Sequence, residues 1–260
     1  MLKILKYSFY DLMRSRWSYV YFLFYLLLGV VLLFLNNDLS KAVITLMNVI
    51  IILVPLIGTI FGIMYHYDSR EFTEILLSQP IKRSSIFLGQ YFGVATSLSM
   101  SLVIGLGLPF VFYGLFNSSA IWDFSLLLVT GAFLTFIFTA LAFMIGLSNE
   151  NKIKGFGYAI LLWLFMAVIY DGFFLMSILY FSDYPLDNFS LIAILMNPID
   201  LSRVLILLKL DISALLGYTG AVFQRFFGTS FGTILSGILL MLWVIIPTFF
   251  IWRIAKRKDF

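Results

Sequence analysis

Residues 66–90 read HYDSREFTEILLSQPIKRSSIFLGQ, a polar island between two long apolar runs. Asp68 and Ser69 stand where they would cap a short helix, and Glu71, three residues after Asp68, completes a pair like a capping box. Phe72, Ile75, Leu76 and Gln79 fall at i, i+3, i+4 and i+7, so they share one helix face. Pro80 ends the helix, because the residue before a proline is driven out of the α region. Lys82 and Arg83 then mark a membrane surface before the chain turns apolar again. A short helix between two spans, with acids at its start and its apolar face turned from the bilayer, suits docking to a cytoplasmic partner.

The runs on either side of this island set the class. Of 260 residues, 62% are hydrophobic and 12% charged, with mean hydropathy +1.04; an ordinary globular domain carries about 25% charged residues. The composition predicts an all-α, polytopic membrane protein, a single transmembrane domain over residues 1–260 with no separate soluble domain. The net charge of +4 comes from bases that flank apolar runs, as the positive-inside rule expects, and is not a nucleic-acid signal. The absence of cysteine excludes disulfides, thiolate metal sites and cysteine nucleophiles. The first apolar run is too long for a cleavable signal peptide and lacks a small-residue cleavage site.

Six apolar runs, near Trp17–Leu35, Val43–Tyr65, Ile86–Leu115, Phe124–Leu147, Phe156–Phe181 and Phe231–Trp252, each match the roughly 20 helical residues a bilayer core requires. The third is long enough to tilt, or to break near Pro109. Ahead of the first, Leu2, Leu5, Phe9 and Leu12 recur near helical spacing among Lys3, Lys6, Arg14 and Arg16, which suits a helix lying in the membrane interface; the plainer alternative is a basic flank. Thirteen Lys and Arg residues fall on the side that holds both termini. Only Lys41, Arg203, Lys209 and Arg225 fall on the other, so both termini and the 66–90 island are expected in the cytoplasm. The second loop on that side, Ser148–Gly155, reads either as a plain turn or as a helical turn with Asn151 and Lys152 making a minor contact to the same partner.

The outer side has one long segment, Ser182–Ser230. Within it Asn197 fits an N-cap, Pro198 the first helical position, and Asp200 the positive end of a helix dipole. Apolar-rich helix continues over Leu201–Leu210 and Ile212–Phe227. Surface helices are expected here, with a re-entrant hairpin as the alternative, because Asp200, Arg203, Lys209, Asp211 and Arg225 would be costly in lipid. No internal repeat or low-complexity linker appears, nor the paired broken helices of a secondary transporter.

Few residues are equipped for chemistry. His66 is the lone histidine, at the inner end of the second span, and reads as a solvated end residue. Asp171 is the one acid inside a span, about 25 Å along its helix from Lys154 at 1.5 Å per residue, near enough to the outer face to pair with a base such as Arg203. The ten methionines form no Met-x-x-Met site and read as core filling. Gly89, Gly93, Gly105 and Gly107 in the third span permit close helix packing or dimerisation. No phosphate-binding loop is present, so any ATP would be hydrolysed by another chain.

This layout resembles the membrane subunits of type-2 ABC exporters. Ser69–Arg83, SREFTEILLSQPIKR, is similar to that family's coupling segment, R-E-x-G-T-x-E-x-L-L-x-x-P-x-x-R, and departs from it at Phe72, where the family often has Gly. Within the family, Leu46–Val49, Leu53–Gly58, Leu77–Pro80, Tyr170–Asp171 and Asn197–Asp200 resemble the NosY-like permeases of NosDFY complexes, which mature nitrous oxide reductase. The resemblance implies a homodimer in the bacterial inner membrane, seated on a dimer of NosF-like ATPase subunits. Glu71, Phe72, Glu74, Ile75, Leu76, Asn151 and Lys152 would dock that ATPase. A NosD-like periplasmic β-helical protein would meet Asn197, Pro198, Asp200 and Arg203. The chain would be no enzyme and bind no cofactor; ATP and Mg would sit on the ATPase, and copper would be handled by the complex. A generic exporter of a lipid, drug or ion, an intramembrane enzyme working at Asp171, and a secondary transporter using Asp171 as a proton site are the competing readings.

Overall fold

The computed structural model describes residues 1–36, 38–118, 120–181, 186–209 and 230–257. Among these residues every regular element is helical. An amphipathic helix α1 (Leu2–Arg14) leads into α2 (Arg16–Leu35) through Ser15, whose extended backbone makes the corner and whose hydroxyl accepts from Trp17 N–H. Asp38 caps α3 (Leu39–Asp68) by accepting from Ser40 N–H at 3.0 Å. The short α4 (Arg70–Leu77) follows, then α5 (Arg83–Phe112) and α6 (Ile121–Ser148). The fifth span is α7 (Lys152–Leu164), a π turn at Phe165–Ile169 and α8 (Tyr170–Tyr180). Asn151 starts it, accepting from Ile153 and Lys154 N–H. Next come α9 (Asp187–Leu195), α10 (Pro198–Lys209) and α11 (Ser230–Arg257). Among the described residues six helices are long and apolar enough to cross a membrane, and they coincide with the six expected runs. The third does not break at Pro109: α5 carries the proline in its last turn, and the chain reverses at Gly114, whose φ of 96° suits glycine.

The core lies among α3, α5 and α6. The most apolar window of α6 is 67% buried, against 11% for the fifth span. Small residues bring these helices together. A Cβ on Gly62 would stand 2.9 Å from that of Ala142, so α3 and α6 meet almost backbone to backbone. On α5, a Cβ on Gly93 would stand 2.7 Å from the Ser8 Cβ and 2.8 Å from the Leu5 carbonyl. The glycines of the third span therefore serve packing within the chain: Gly89 and Gly93 receive α1, and Gly105 lies against Tyr25 of α2. Gly107 has nothing within 4 Å.

The outer segment differs from the expectation of surface helices. α9 and α10 meet at a bend of 113°, and α10 is inserted among α3, α6 and α11 with Ile199, Leu201, Val204 and Ile206 buried. At the bend, Asn197 Nδ2 donates to the Met166 carbonyl and Trp243 Nε1 donates to the Leu195 carbonyl. Met166 lies about 21 Å from the Lys152 end of its span, and Trp243 about the same from Arg257, at 1.5 Å per residue. The bend thus lies about half-way along both of these helices, and the bent pair has the form of a re-entrant loop or a broken span. The cost that Asp200 and Arg203 would each carry singly is lowered because the two are paired inside the bundle. The continuation expected over Ile212–Phe227, with Asp211 and Arg225, lies outside the described residues.

Candidate functional site

Two polar regions stand out, one at the inner ends of α3 and α6 and one within the bundle around the α9–α10 bend. The first gathers α1, α4, the α6–α7 loop and the end of α11. α3 runs to Asp68 with only Ser69 before α4, so Asp68 is itself helical and cannot reach back over the α4 start. No side chain caps α4. This corrects the capping reading of Asp68, Ser69 and Glu71. Asp68 instead accepts from Lys152 Nζ at 2.7 Å, and the Ser69 hydroxyl donates to the His66 carbonyl. Tyr67 Oη donates to the Asn149 carbonyl at 2.7 Å, a second tie between the inner end of α3 and the α6–α7 loop.

α4 does not present its apolar residues as one free face. Leu76 is buried against Ile4 and Ile86. The Phe72 ring stacks on Tyr7 with centroids 4.5 Å apart. Thr73, also buried, accepts from Gln90 Nε2 at 2.8 Å while donating to the Ser69 carbonyl. Glu71, Glu74 and Ile75 are exposed, and Glu74 takes an exposed ion pair from Arg70. Of the residues expected to meet a partner, Phe72 and Leu76 thus fasten the helix to the bundle, while Glu71, Glu74, Ile75, Asn151 and Lys152 remain on the surface. Beside them opens a cavity of about 510 Å³ lined by Tyr67, Arg70, Glu74, Arg83 and Glu150. A second hollow of about 710 Å³ separates Asn151 and Lys154 from Arg253 and Arg257 of α11. Sequence reasoning missed the Thr73–Gln90 contact; a glutamine one turn into an otherwise apolar span was its signal.

The second region is built on the bent α9–α10 hairpin. Arg203 donates through Nη1 to Asp171 Oδ2 at 2.7 Å and to Asp200 Oδ1 at 3.1 Å. The Asp171–Arg203 pairing is the one expected from the sequence. Asn197 caps α10 by accepting from Ile199 N–H at 3.1 Å, and its amide also donates to Asp200 Oδ2 at 2.8 Å. The same Nδ2 reaches the carbonyl of Met166, inside the π turn where Tyr170 N–H bonds back to the Phe165 carbonyl. Tyr170 Oη adds a bond to the Ala193 carbonyl at 2.7 Å. Pro198 supplies the first residue of α10. Asn197, Pro198, Asp200 and Arg203 are therefore brought together with Asp171, though within the bundle and not on its outer surface. Asp171 and Arg203 retain 28% side-chain exposure, while Asp200 retains 8%. Such a network fixes the hairpin to the fifth span. Among the described residues no three His, Asp or Glu side chains converge as a metal set.

The chain is 22% identical over 212 residues to a protein of Stutzerimonas stutzeri named "Probable ABC transporter permease protein NosY", covering 75% of this chain and 76% of that one. No family model matches the chain. The helical bundle and this similarity agree: the chain is an all-α, multi-pass membrane protein that resembles NosY-like ABC transporter permeases.

Proposed function

We propose that this chain is the permease subunit of an ABC transporter complex that carries ATP-driven movement across the membrane for copper-site maturation of nitrous oxide reductase. The single observation that carries the reading is α4, a surface helix fastened to the bundle by Phe72, Thr73 and Leu76 while Glu71, Glu74 and Ile75 face outward. A separate NosF-like ATPase dimer would bind ATP and Mg and push on that outward face, with Asn151 and Lys152 as a lesser contact. The Asp68–Lys152 pair and the Thr73–Gln90 bond lead from there into α3, α7 and α5. The hairpin around Asn197–Arg203, held within the bundle, would pass the movement on towards a NosD-like periplasmic protein. The complex would be built on a homodimer in the bacterial inner membrane, with both termini cytoplasmic.

The test replaces Glu71 and Ile75 with Ala in the assembled complex, since both are exposed and neither holds the fold. Expected is continued ATP hydrolysis with loss of nitrous oxide reductase maturation in cells. Wild-type nitrous oxide reduction by that variant would overturn the reading. An ATPase partner without any periplasmic protein would leave the exporter reading in its place.

A further inference from the structure

The N-terminal helix α1 presents four sectors, two of which pack against the rest of the bundle. At 3.6 residues per turn, Ile4, Ser8 and Leu12 lie together, and all three are buried against α5 and its neighbours. Leu2, Phe9 and Met13 form the next sector, with Leu2 79% exposed. Lys3, Lys6, Tyr10 and Arg14 form the third and are all exposed. Arg16 and Trp17, at the start of α2 just past the Ser15 corner, are exposed as well. Among the described residues none of these four bases lies in an ion pair with an acid. The fourth edge of the helix meets the rest of the same end of the bundle: Tyr7 stacks on Phe72, and Asp11 accepts from Tyr65 Oη at 3.2 Å.

We propose that the Lys3–Lys6–Arg14 sector, with Arg16, is a binding surface for anionic phospholipid headgroups. The occupant follows from the neighbouring sector. A bare leucine, a phenylalanine and a methionine beside a row of bases suit a helix half sunk in acyl chains with its cations at phosphate level. Tyr10 and Trp17 have the ring chemistry that settles at that depth. An acidic protein partner would satisfy the bases and leave Leu2 in water. Each engaged cation enriches an anionic lipid by about fivefold near the surface, and salt weakens the effect. Because Tyr7 rests on Phe72, the lipid layer under α1 also supports α4.

The chain contains no cysteine, so Leu2→Cys gives a single labelling site for a fluorophore in the apolar sector. The labelled chain alone is reconstituted in phosphatidylcholine vesicles containing the same mole fraction of either brominated phosphatidylglycerol or brominated phosphatidylcholine. Expected is several-fold stronger quenching by the anionic lipid, reduced at high salt. It should be lost in Lys3→Gln/Lys6→Gln/Arg14→Gln and kept in Lys3→Arg/Lys6→Arg. Equal quenching by the two lipids in the unmodified chain would overturn the proposal and assign the basic sector to a protein partner. Since no ATPase is present, that result would leave the transporter reading untouched.

Discussion

Arg203 answers two carboxylates at once, and its removal would strand both Asp171 and Asp200 without a cation. Replacing it with Ala should destabilise the purified chain by about 2–3 kcal/mol, seen as a lower thermal midpoint in detergent. Asp171→Asn, which leaves Arg203 paired with Asp200, should cost less; equal midpoints for both variants and the parent would contradict the network. The Asp171–Arg203 pair was legible because an acid within a span calls for a base nearby. The parts of Asp200 and Asn197 were not, since they depend on a hairpin folded back to the π turn. Gly93 makes a second residue-scale case. A leucine there would overlap Ser8 and the Leu5 carbonyl, so Gly93→Leu should detach α1 and speed tryptic cleavage at Arg14 and Arg16. Gly157→Ala, which meets nothing within 4 Å, should behave as the parent does.

At the scale of elements, α4 shows both the reach and the limit of periodicity. The spacing of Phe72, Ile75 and Leu76 and the stop at Pro80 located a short helix. What the spacing could not supply was the identity of the neighbour: Ile4 and Tyr7 arrive from another element and take Leu76 and Phe72, leaving Ile75 outside. The capping reading failed for a related reason, because α3 continues through Asp68. Weighing each charge singly against lipid favours the surface for this segment; inside the bundle Arg203 and two acids offset part of that cost together. The buried Thr73–Gln90 bond yields a prediction at this scale. Thr73→Val leaves Gln90 Nε2 without its acceptor and should cost about 1–3 kcal/mol of stability. Adding Gln90→Leu should recover part of the loss in the same melting assay, and a double variant no better than the single would count against the contact.

For the whole molecule, the six spans were legible because a bilayer demands about 20 apolar residues from each, and nothing in tertiary packing overrides that requirement. The packing order was less so: α3, α5 and α6 share the centre through glycines whose partners only the fold reveals. The charge bias gives a direct prediction of orientation. With no native cysteine, single substitutions at Gln79 and at Phe116 report the two ends of the bundle. In intact spheroplasts, a membrane-impermeant maleimide should label Phe116→Cys and spare Gln79→Cys; the reverse pattern would invert the topology.

The central claim is that this chain works as one subunit of an ATP-driven complex. Its most direct test is purification of the chain from its native membrane in mild detergent, with the co-purifying proteins identified by mass spectrometry. The account predicts an ATP-binding cassette subunit together with a periplasmic β-helical protein. Recovery of the chain with no ATPase would contradict it, and attention would pass from the α4 surface to Asp171 and its partners.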